Sequence, residues 1–116
     1  MVDRNIQRLL QIRDAILSIR TFCNGKTITE FKDNDLLYSA VLQKFMIIGE
    51  SVARLDQALT DKYKYPWYKP RSFRNFIAHE YHRILPERIW DTIQNDLDGL
   101  EEIVSIILEQ EFDTNK

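Results

Sequence analysis

Apolar residues recur along this chain in steps of three and four, the period of an amphipathic α-helix. The first run, from about Asp3 to Cys23, carries Ile6, Leu9, Leu10, Ile16 and Ile19, and Asn24-Gly25 supplies a C-terminal stop. Lys26 to Lys32 contains the β-branched pattern Thr27-Ile28-Thr29, too short to support a sheet. A long second helix is expected from Asp33 or Asn34, both good caps, to about Tyr63. Its Leu37, Val41, Phe45, Ile48, Val52, Leu55 and Leu59 form a bundle seam. Gly49 interrupts that seam at a cost of about 1 kcal/mol relative to alanine, which points to close approach of another backbone. Tyr65-Pro66-Trp67-Tyr68-Lys69-Pro70 forms a connector, with Pro70 placed to open a third helix. Pro86 opens the last, where Ile89, Ile93, Leu97, Leu100, Val104 and Ile107 repeat the seam; the polar tail from Glu111 to Lys116 is expected to fray. The pattern predicts one all-α domain over residues 1–116, an up-and-down antiparallel bundle of four to five helices.

Composition narrows the functional classes. A net charge of −2 gives no global basic field, so nucleic-acid binding would need a local patch. The single cysteine, Cys23, excludes an intrachain disulfide and a cysteine-based zinc site; at a helix end it reads as a small buried hydrophobe. No stretch reads as a signal peptide or approaches a membrane span, and a soluble cytoplasmic protein is expected.

Candidate chemistry concentrates in Arg74-Asn75-Phe76-Ile77-Ala78-His79-Glu80-Tyr81. On a helical wheel Phe73, Phe76 and Ile77 share the side expected to face the core, while Arg74, Asn75, Ala78, His79, Tyr81 and His82 fill the opposite arc. Asn75 and His79 are four apart, so the amide could fix the imidazole tautomer; Arg74 and Tyr81, seven apart, share nearly one line. Arg74 and His79 lie about 140° apart on an ideal helix. They can meet on one ligand through side-chain reach, through a helix break between them, or by apposition of two copies across a two-fold axis. Histidine as a proton carrier and arginine as a phosphate ligand suffice for metal-independent RNA cleavage by attack of the 2′-hydroxyl on its neighbouring phosphate. A solvated surface helix whose polar groups pair locally fits the same spacing.

Other features carry less. His79-Glu80-Tyr81-His82 lacks the spacing of a zinc-protease helix, and no further histidine or cysteine pair supports it, so no metal or other cofactor is expected. Tyr63, Tyr65, Trp67 and Tyr68 among Lys62, Lys64 and Lys69 read as aromatics packing over the bundle end more readily than as a stacking surface for single strands. Glu50 beside Gly49 could support the site from the second helix, but a solvent-facing glutamate is the readier explanation.

Arg74, His79 and Tyr81, in the pattern Arg-x4-His-x-Tyr, resemble the signature of the HepT-like branch of the HEPN superfamily, with Asn75 matching a polar residue that follows the arginine. Ile47-Ile48-Gly49-Glu50, Pro66-Trp67 and Ile89-Trp90 resemble further segments of that family, so the similarity spans most of the chain. The resemblance implies a HEPN-like helical bundle that forms a homodimer and joins two motifs in one cleft. It implies a ribonuclease toxin acting on RNA, encoded beside a minimal nucleotidyltransferase antitoxin. Arg74 and His79 would then be catalytic, Asn75 supporting, and Tyr81 the tyrosine that the antitoxin adenylylates. The alternative is a non-catalytic binding subunit, or the antitoxin, of a nucleotidyltransferase.

Overall fold

The structure is a computed structural model that describes residues 3–112, and among these every regular element is helical. The elements are α1 (Arg4–Cys23), α2 (Ile28–Asp33), α3 (Asp35–Ala53), α4 (Gln57–Lys62), α5 (Tyr68–His79), a 3-10 turn (Tyr81–Arg83), α6 (Pro86–Asn95) and α7 (Leu97–Phe112). The all-α bundle expected from the apolar pattern is what forms.

Local chemistry sets the ends. The Asp3 side chain accepts from Asn5 N to cap α1, which stops at Cys23 because Gly25 takes a positive φ of 73°. The β-branched stretch after it is not extended: Thr27 and Glu30 form a reciprocal capping box that starts α2. Asn34 caps α3 through Leu37 N at 3.0 Å. Pro86 occupies the first turn of α6, as its missing N–H allows. Helix α5 begins at Tyr68, so Pro70 lies within its first turn rather than at its start.

Two helices expected to be continuous are divided. The second ends at Ala53, where Arg54 N and Leu55 N bond back to Ser51 O and Val52 O, and α4 starts at Gln57 after three intervening residues. Asn5 fixes that corner, accepting from Asp56 N at 3.1 Å and donating to Asp56 Oδ2 at 3.0 Å. The last helix divides at Asp96 into α6 and α7. Both seams survive the breaks, since Leu55, Leu59 and Leu97 stay buried. Glu111 and Phe112 belong to α7 rather than to a frayed tail, and the rest of that stretch, 113–116, lies outside the described residues.

The core is one cluster. Leu9, Ile12, Ile16 and Ile19 of α1 and Val41, Phe45, Ile48 and Val52 of α3 meet Leu97, Val104, Ile107 and Leu108 of α7. Helix α3 is central, packed most extensively on α1 and α5, and α2 lies against α6. That position corrects the expectation that no segment approaches a membrane span. Asp35–Ala53 is long and apolar enough, at a mean hydropathy of 1.3; its Leu37, Val41, Leu42, Phe45, Ile48 and Val52 are buried in the bundle core, while Leu36 is exposed. Cys23 is buried and its thiol pKa is raised by burial, as a small core residue should be.

Candidate active site

Helix α5 is brought to α3 by the absence of a side chain. A Cβ built on Gly49 would lie 2.8 Å from Pro70 O and would run into Arg74 Cβ, so this crossing requires glycine. The close approach expected at Gly49 is therefore real, and the group pressed against it is the arginine of the motif. One residue further along α3, Glu50 Oε1 accepts from Arg74 Nη2 at 3.3 Å. From α5 itself, Asn75 Oδ1 accepts from Arg74 Nη1 at 3.0 Å. Arg74 Nε is buried and has no partner among the described residues. Glu50 is thus a ligand of the arginine rather than a bystander, and Asn75 orients the guanidinium rather than the imidazole.

His79 is the last residue of α5 and is exposed. The helix is unbroken between Arg74 and His79, which removes a helix break as a way of bringing them together. Arg74 faces α3, while His79 follows Phe76 by three residues on another side of the helix. By helical spacing the two motif residues lie about 140° apart, which leaves side-chain reach or apposition of two copies. The chain turns after Glu80, whose N–H bonds to Phe76 O, and Tyr81 sits on the 3-10 turn. The line expected to join Arg74, Ala78 and Tyr81 is interrupted there. Tyr81 is 52% exposed, its ring meeting His82 edge-on at 5.5 Å. Behind it Tyr38 of α3 is partly buried, and its phenol pKa is pushed up first by burial, then by the nearby Tyr81 and Glu87.

The apolar side of α5 divides. Ile77 is buried and Phe73 packs edge-on against Phe45 at 5.0 Å. Phe76 instead borders a groove of about 790 Å³ between α5 and the α6–α7 corner, with Arg88 5.0 Å above its ring. Sequence periodicity missed this groove, because an aromatic beside an open cleft repeats with the same spacing as a core residue. The connector aromatics behave as expected. Trp67 is buried with its indole N–H donating to Tyr63 O at 3.1 Å, the Tyr65 ring packs against it tilted by 59° at 4.9 Å, and Tyr68 alone is largely exposed. Among the described residues no cluster of three or more histidine, cysteine or carboxylate side chains is gathered in metal-binding geometry.

A helical bundle that mounts an arginine and a histidine on one helix, with an exposed tyrosine just beyond, defines a class of small α-helical proteins. The family model described as "Ribonuclease HepT-like" matches residues 12–107, and the chain belongs to that family. It is 32% identical over 104 residues to the Methanocaldococcus jannaschii protein named "Putative RNase MJ0127", covering 85% of this chain and 86% of the relative. It is 32% identical over 88 residues to "Putative RNase TTE0752" of Caldanaerobacter subterraneus subsp. tengcongensis, covering 75% and 79%. A third relative, the "Gamma-glutamylcyclotransferase and putative RNase MJ0434" of M. jannaschii, is 28% identical over 109 residues; the match covers 93% of this chain but only 49% of that protein. No solved structure gives a significant match.

Proposed function

We propose that this protein is an endoribonuclease that cuts RNA without a metal ion, His79 carrying the proton and Arg74 holding the scissile phosphate. The 2′-hydroxyl attacks the adjacent phosphorus, the P–O5′ bond breaks, and the products are a 2′,3′-cyclic phosphate and a 5′-hydroxyl. His79 takes the proton of the attacking hydroxyl or returns one to the leaving oxygen. Arg74 stabilises the charge that develops on the non-bridging oxygens. The observation that carries this reading is the fixed guanidinium of Arg74, held from α3 and α5, in a chain whose family is a ribonuclease family.

The roughly 140° between Arg74 and His79 on an ideal helix supports a homodimer as the working unit, one copy supplying the arginine and the other the histidine. The protein is the toxin of a pair whose antitoxin, a minimal nucleotidyltransferase, transfers AMP to Tyr81. The exposed phenol supports that role, and an added phosphate beside the motif would repel the RNA backbone. Purified protein should cut RNA in excess EDTA, and His79→Ala should abolish cutting while the unfolding curve stays in place. Cutting that persists in this variant would remove His79 from the mechanism. The alternative reading, a binding subunit or antitoxin of the nucleotidyltransferase, draws on Arg74 being already paired with Glu50. Growth arrest on expression of this chain alone favours the toxin; arrest from the partner alone favours the alternative.

A further inference from the structure

Glu50 has two sides. One side meets Arg74; the other walls a separate groove of about 390 Å³ between α1 and α3. Arg8, Gln11 and Asp14 of α1 face Lys44, Glu50 and Arg54 across it. Three cations stand against two carboxylates, and Glu50 is already engaged by Arg74. Arg8 donates to the neutral Gln11 at 3.3 Å, and neither Lys44 nor Arg54 forms an ion pair among the described residues. The wall is built rather than incidental. Ser51, buried at 3% exposure, donates to Gln11 Oε1 at 3.2 Å and fixes α1 to α3 beneath the cations. Lys44 and Arg54 are about 15 Å apart along the helix, enough to contact more than one phosphate of a strand.

We propose that this groove binds the phosphodiester backbone of single-stranded RNA and leads it over Glu50 to Arg74. The inference rests on the ribonuclease reading and adds where the substrate lies on either side of the cut. Cations interleaved with a neutral amide suit a chain of phosphates separated by sugar hydroxyls, whereas a folded anionic protein would need a broader, uniformly basic face. Three cations against two carboxylates leave this groove a local excess of one positive charge on a protein of net charge −2.

The test uses His79→Ala protein, so that binding is read without cleavage, and a fluorescent single-stranded RNA of about 12 nucleotides followed by anisotropy. Adding Arg8→Gln, Lys44→Gln and Arg54→Gln together should raise Kd at least about tenfold and lower the slope of log Kd against log salt by about 2. The same number of neutral amides at Lys26, Lys64 and Lys69, outside this groove, should change Kd less than about threefold. With His79 intact, the groove substitutions should raise KM and leave kcat in place, because the reacting groups are untouched. Unchanged Kd in the groove variant, or displacement of RNA by polyglutamate at equal charge concentration, overturns the inference while cleavage by the wild type keeps the ribonuclease reading. If the wild type neither binds nor cuts RNA, both fall.

Discussion

Arg74 is held by Asn75 on its own helix and by Glu50 of α3, and the second contact could not be read from that helix. Its charge and spacing were visible in the sequence, and so was the anomaly of a glycine in the α3 seam. What joins them is the crossing of two helices, and sequence distance carries no record of that. Arg74→Lys keeps the charge but loses the planar fork shared between Glu50 and Asn75, so RNA cleavage should fall at least about tenfold with little change in stability. Gly49→Ala acts differently. Its methyl group would push against Pro70 O and the Arg74 side chain, and urea unfolding should show a loss of about 1–3 kcal/mol together with reduced activity. His79 and Tyr81 were equally legible as residues, but the end of α5 between them was not. Nothing in the apolar pattern marks it, because Ile84 resumes the burial just after the turn.

At the scale of elements, the seams were legible and the breaks were not. Leu55 and Leu59 continue the α3 spacing past Ala53, so periodicity alone runs two helices into one. The signal lay in Asp56, whose backbone bond to Asn5 crosses from the far end of the chain. Helix α2 shows the reverse: a β-branched tripeptide becomes helical because Thr27 and Glu30 satisfy each other's ends. Thr27→Ala should therefore cost about 1 kcal/mol by chemical denaturation. The α4–α7 end is tied by Glu111, which accepts from Lys62 Nζ at 2.7 Å and Tyr63 Oη at 2.6 Å. These bonds hold the Glu111 carboxyl below its ordinary value of 4.5. A depressed carboxylate stabilises the fold above the unfolded-state pKa and loses that contribution as pH falls through the folded-state value. The advantage in melting temperature of the wild type over Glu111→Gln should thus be present at neutral pH and be lost in acid, as pH falls through the lowered folded-state value of Glu111. The tie is exposed, so the difference at neutral pH should be small.

For the whole molecule, the proposed homodimer has a direct test. If the working cleft takes Arg74 from one copy and His79 from the other, two inactive variants can repair each other. Arg74→Ala and His79→Ala proteins, unfolded together and refolded, should recover up to about a quarter of wild-type cleavage, since half of the dimers are mixed and each has one intact site. No recovery, with mixed dimers demonstrated by native mass spectrometry, would place both residues in one copy. The family signature made the motif legible, while the tertiary crossing that orients it was not. Gly49 has a last consequence for anyone wishing to move this chemistry elsewhere. The α5 segment is not a portable cassette: a recipient bundle must offer a helix with no side chain at the crossing point and a carboxylate at the next position. Transplanting the eight motif residues alone would carry over the lettering of the site and leave behind the spacing that makes it legible to a substrate.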